Sequence, residues 1–96
     1  MGILSLFKRK QKRDHFAERR AHLIAHGRIT DGRIIDTETT GRGDEIVFYL
    51  YTLNGVDFES SELLDEDQRR DPLRYAAGAK VGVRYDPKNQ GNSMLV

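Results

Sequence analysis

The dipeptide Asn54-Gly55 stands between two runs of strand-forming residues, Glu45 to Leu53 before it and Val56-Asp57-Phe58-Glu59 after it. Asn and Gly both tolerate positive φ, so the pair closes a two-residue type I′ turn whose twist suits an antiparallel hairpin. Side chains along a strand alternate with a period of two, so such a turn sets the register. Leu53 faces Val56, Tyr51 faces Phe58 and Tyr49 faces Ser60. One side of the hairpin then carries Val47, Tyr49, Tyr51, Leu53, Val56 and Phe58 and is the expected core. The other side carries Ile46, Phe48 and Leu50, then Thr52, Asp57 and Glu59. It is apolar only at its far end, where a helix or another strand would cover it.

The remaining segments are short and punctuated by turns. Arg28 to Thr37 is rich in Ile and Thr, with Gly32 expected as a bend or bulge. Thr40-Gly41-Arg42-Gly43-Asp44 reads as a flexible turn. Ser60 to Arg70 is acidic, anchored only by Leu63-Leu64, and reads as a loop or a short helical turn. Asp71-Pro72 suits a helix start with Pro at its first position, and Gly78 its end. Lys80 to Tyr85 alternates, with Val81, Val83 and Tyr85 inward. Asp86-Pro87 and Gln90-Gly91-Asn92 are expected turns, and Met94-Leu95-Val96 a last short strand. The pattern predicts a mainly β fold with an N-terminal helix (α+β). Its four or five strands would form a small antiparallel β-barrel of OB-like or SH3-like type. The expected division is an arm and helix over 1–26 and a barrel domain over 27–96.

Charge follows the same division. Residues 1–28 carry eight Lys/Arg against two acids, a net +6, and residues 29–96 carry eight against thirteen, a net −5. A basic arm on an acidic body meets an anionic surface arm first. Ile3, Leu4, Leu6 and Phe7 form one apolar turn, followed at once by Lys8, Arg9, Lys10, Lys12 and Arg13. These nine residues are the candidate contact for an anionic membrane or a protein partner, because apolar side chains beside a polybasic run insert while the cations meet headgroups. The same cations could bind nucleic acid through phosphates. That reading is weaker, since stacking aromatics are not interleaved and the acidic barrel would repel phosphate. No run reaches the ~20 apolar residues of a membrane span, and the start lacks the order of a signal peptide. The expected location is cytoplasmic, peripheral at the inner face of the membrane.

From Asp14 to His26 the chain reads as a helix capped by Asp14 and stopped by Gly27. Leu23, Phe16, Ile24, Ala17 and Ala21 share one arc, interrupted by Arg20. His15, Glu18, His22 and His26 share the opposite side. The His22/His26 spacing would allow two imidazoles on one metal, but a solvated stripe is the expectation, because two helix histidines do not enclose an ion. Asp65-Glu66-Asp67 lacks the Gly and distal Glu of a calcium loop. With no Cys, no phosphate-binding loop and every His on the arm, the chain is read as a non-enzymatic interaction or adaptor module. It is expected to use no cofactor, no metal and no small-molecule substrate.

One ordered set of residues resembles a known family. His26-Gly27, Gly32 with Ile34-Ile35-Asp36, Phe48-Tyr49-Leu50-Tyr51, Asn54-Gly55 and Tyr75 before Gly78 lead into Val81-Gly82-Val83-Arg84-Tyr85-Asp86-Pro87-Lys88-Asn89. This is similar to the bacterial domain-of-unknown-function family 3592, over about residues 27–96. The resemblance implies a small β-domain, often carried beside membrane helices, with no assigned activity or catalytic residue. Gln90 stands where the family pattern has Pro.

Overall fold

A computed structural model describes residues 17–96 of the chain. Helix α1 (residues 17–26) leads into β1 (Arg28–Thr39), β2 (Glu45–Leu53) and β3 (Val56–Leu63). Then come α2 (Glu66–Arg69), a 3-10 turn over Pro72–Tyr75, β4 (Lys80–Asp86) and β5 (Asn89–Leu95). The strands form a single antiparallel sheet in the order β3-β2-β1-β4-β5. Curling brings its two edge strands, β3 and β5, together into a nearly closed barrel. The mainly β fold with an N-terminal helix, and the small antiparallel barrel, are thus as the sequence indicates, with five strands.

The hairpin follows its local chemistry. Asn54 and Gly55 take φ of 52° and 79°, and the register runs Leu53↔Val56, Tyr51↔Phe58 and Tyr49↔Ser60 as the turn requires. Val47, Tyr49, Tyr51 and Leu53 all point inward and are buried. Val56 does not join them: it is 54% exposed. The β1–β2 ladder ends at Gly32↔Tyr51, so the hairpin tip that carries Val56, on the edge strand, lies beyond the last β1–β2 pair.

Gly32 is not the bulge. It pairs with Tyr51 on one side and Val81 on the other. A Cβ there would stand 2.7 Å from Val83 Cγ2 and 2.8 Å from the Leu50 carbonyl, so glycine is required for the close approach of β1 to the barrel wall. The register shift falls between Ile34 and Asp36. Ile34 stays buried and Ile35, 37% exposed, faces out, and the extra residue puts Asp36 on the outer side as well, opposite Phe48, as expected of a bulge that re-aims the residue after it.

β3 runs on through the acidic stretch to Leu63, and Leu64 is its buried anchor. After it, α2 opens with a capping box in which Asp65 Oδ1 accepts from the Gln68 N–H and Gln68 Oε1 accepts from the Asp65 N–H. Such a box satisfies two orphan donors reciprocally. Gln90-Gly91-Asn92 is strand, not turn: the β4–β5 hairpin turns on Pro87-Lys88, with Asp86 paired to Asn89. Asp86 Oδ1 accepts the Lys88 N–H at 2.9 Å, a side-chain mimic of a backbone turn.

The core is aromatic. Tyr51 stacks on Phe58 at 5.4 Å, on Tyr49 at 6.1 Å and on Tyr85 at 6.4 Å between ring centroids. Ile34, Val47, Val83, Leu95 and Tyr75 pack around this stack. Each fully buried side chain of this kind contributes roughly 1.5–3 kcal/mol, which is how so short a chain holds a barrel.

Candidate functional site

The chain departs most from a plain barrel at the seam between β3 and β5, where α1 docks. The helix does not lay down the broad apolar arc that its periodicity suggests. Leu23 is fully buried, whereas Ile24 is 56% exposed and Ala17 and Ala21 are exposed. Asp14, His15 and Phe16 lie outside the described residues. Polar links hold the rest of the helix. The Arg19 guanidinium donates to the Ser93 carbonyl at 2.7 Å and Arg84 donates to the Ile24 carbonyl at 3.4 Å. His22 Nε2 lies 3.4 Å from Asp86 Oδ2. The histidine side expected to face only solvent therefore meets the barrel through His22, because the β4–β5 turn rises to the helix flank. The Lys88 N–H and then the His22 ring hold the Asp86 carboxyl below its usual range.

Inside the seam, the Tyr49 and Ser93 hydroxyls share a hydrogen bond of 2.7 Å. Burial pushes the Tyr49 phenol up, against the pull of its bonds to Ser60 and Ser93. Glu62 reaches from β3 to β5: Oε1 accepts the Leu95 N–H at 3.1 Å, while Oε2 accepts from Gln68 Nε2 at 3.2 Å. A side chain thus supplies a bond that a backbone ladder would supply in a closed barrel. Between α1 and this seam lies a groove of about 430 Å³. Leu23, Met94, Ile46 and Leu63 give it apolar walls, with Arg19 and Arg20 on one rim and Glu62 on the other. A cavity of that size with a few polar groups at its edge accepts an apolar side chain or a short apolar segment.

A second depression, shallower and about 540 Å³, lies on the outer face of β1–β3. Its apolar part is Ile35 and Phe48 and its acidic part Asp36, Glu38 and Glu59. The register explains the arrangement. Asp36, Phe48 and Ser61 form one row across three strands, and Glu38, Ile46 and Leu63 the next. Ser61 lines both cavities, so the seam groove and the outer depression adjoin there.

The nine residues expected from sequence to make contact (Ile3, Leu4, Leu6, Phe7, Lys8, Arg9, Lys10, Lys12 and Arg13) all lie outside the described residues. Among the described residues, no group of three His, Asp or Glu is placed to hold a metal ion, and no helix is long and apolar enough to cross a membrane. Sequence reasoning missed Arg19, Glu62 and Ser93. Asp65-x-x-Gln68 was a legible cap signal that would have ended β3 near Leu64 and put Glu62 within it. Nothing in the local sequence marks Arg19 or Ser93, whose partners are far along the chain.

No curated protein and no solved structure matches the chain. A family model described as a domain of unknown function, DUF3592, matches residues 25–96. That span runs from the last turn of α1 through all five strands and takes in the Tyr85-Asp86-Pro87 strand end that receives His22. The chain belongs to the DUF3592 family.

Proposed function

We propose that this chain is a non-enzymatic interaction module that docks on an anionic membrane surface through residues 3–13. The carrying observation is the order of residues in the arm: four apolar residues in five positions, then five cations in six. Each Lys or Arg near such a surface contributes about 1 kcal/mol, and the apolar side chains insert shallowly. The barrel supports this reading by its sign. Its net negative charge turns it away from an anionic surface, while α1, pinned by Leu23, Arg19 and His22, ties the root of the arm to one side of it. The surface of matching chemistry in a cell is the cytoplasmic leaflet, where anionic lipids concentrate.

Flotation with vesicles tests this. The protein is expected to rise with anionic vesicles at low salt, to bind neutral ones poorly and to release as salt rises. Leu6→Glu/Phe7→Glu in the full chain is expected to abolish binding without changing the fold. Equal binding by that variant overturns the reading. So does failure on vesicles together with tight, salt-sensitive binding to DNA or RNA, which would turn the arm toward phosphate backbones.

A further inference from the structure

The outer face of β1–β3 carries an apolar stripe with acidic margins. Ile46, Phe48 and Leu50 follow one another along β2 on the side away from the core, each half-buried. Ile35, outward at the bulge, and Leu63, opposite Ile46 on β3, widen the stripe. On the β1 side Asp36 pairs with Phe48 and Glu38 with Ile46, and on the β3 side Glu59 pairs with Leu50. The stripe's cations stand at its two ends, Arg33 across from Leu50 and Arg19 with Arg20 in the groove shared by Ile46 and Leu63. An apolar strip with carboxylates on both margins fits a segment that is apolar in one part and cationic in the next.

We propose that the chain's own arm is that segment. Ile3, Leu4, Leu6 and Phe7 lie back on the stripe, and Lys8–Arg13 meet Asp36, Glu38 and Glu59. Three observations support this occupant. The charges are complementary, five cations against a carboxylate margin. The described part of α1 begins at residue 17, within a turn of Arg19 and Arg20, which line the seam groove; that groove adjoins the outer depression at Ser61. The length of chain is the third: ten steps lead from Ala17 back to Phe7, up to about 33–36 Å when extended, and the stripe from Ile46 to Leu50 is about 13 Å long. Tethering supplies an effective concentration of order millimolar, so a weak contact is populated.

The consequence rests on the membrane reading: stripe and bilayer compete for the same residues. An arm held on the stripe nine-tenths of the time lowers apparent vesicle affinity about tenfold. The barrel is then a brake on its own anchor.

The chain has no cysteine, so Ser5→Cys takes one nitroxide label at a unique place. Its paramagnetic broadening of backbone amides reports which surface the arm visits. Broadening is expected at Phe48, Glu59 and Ser61, not at Lys88 or Asn89 in the β4–β5 turn, and it should fade at high salt. Phe48→Ser leaves net charge unchanged and is expected to remove the broadening and raise affinity for anionic vesicles about tenfold. Should that variant unfold, the label on the otherwise native chain still decides. Absent or uniform broadening overturns the proposal, even if vesicles bind. Broadening carried entirely between molecules, in a mixture of labelled unenriched and unlabelled enriched protein, makes the occupant a second copy and also overturns it. Broadening confined to the stripe within one molecule, with no vesicle binding, upholds the fold-back and defeats the membrane reading instead.

Discussion

Glu62 closes the barrel seam by accepting the backbone N–H of Leu95 from across it at 3.1 Å. Because β3 and β5 are the two ends of the sheet, this carboxylate stands where strand pairing has run out. Glu62→Ala is expected to cost about 1–3 kcal/mol, the range for a buried donor left without its acceptor. Glu62→Gln, whose Oε1 still accepts, is expected to cost less. Urea titration gives the energies, and hydrogen exchange gives the place: the Leu95 amide should lose protection more than Val83. Unchanged Leu95 exchange in Glu62→Ala would mean that the seam is held by packing alone.

Tyr51 and Phe58 face each other across the hairpin with rings 16° from parallel. Phe58 is half-buried, so Phe58→Ala is expected to cost about 2–3 kcal/mol, under the 3–5 of a fully enclosed Phe. Val56→Ser, at the projecting tip, should stay within about 0.5 kcal/mol of the parent. Thermal or urea melts that reverse this order would contradict the hairpin's position at the barrel end.

Tyr49 predicts behaviour in alkali. Its folded pKa is raised, first by burial, so the fold favours the protonated phenol. Its contribution is therefore intact below about pH 10, the value of an unfolded Tyr, and is lost as pH rises through the folded value. Tyr49→Phe leaves the buried Ser93 hydroxyl without its partner and should cost about 1–3 kcal/mol near neutrality. It should also flatten the fall of stability above pH 10. A parallel alkaline slope in the two proteins would remove Tyr49 from the account.

Asp86 carries the opposite sign. Its carboxyl is lowered by the Lys88 N–H, then by His22. Its contribution is present above about pH 4, the ordinary Asp value, and fades as pH falls below that. Asp86→Asn can keep the Lys88 bond but loses the charge beside His22. It is expected to show a shallower acid slope and faster exchange at Leu23, the residue that seats α1. If exchange at Leu23 is unchanged, the His22 contact does not help to hold the helix.

Local rules made a good part of this molecule legible. Asn54-Gly55 specified a turn, the turn a register, and the register placed Tyr49 and Tyr51 in the core. Pro72 opened a short helical turn, and the alternation from Lys80 to Tyr85 was a strand with Val83 at its centre. These features depend on a few neighbouring φ/ψ values or on side-chain period, both written within a dozen residues. Tertiary structure alone decided the rest. Val56 is exposed at a hairpin tip beyond the end of the β1–β2 ladder, Gly32 is needed because Val83 and Leu50 crowd it, and the bulge falls at Ile35. The seam contacts join residues 74 apart for Arg19 and Ser93, and 33 apart for Glu62 and Leu95. Such pairs exist only once the strand order is set and the sheet has curled until its edges meet. Until then a half-buried Glu in an acidic stretch looks like any solvated carboxylate, because its partner is a backbone N–H that no composition or spacing reveals.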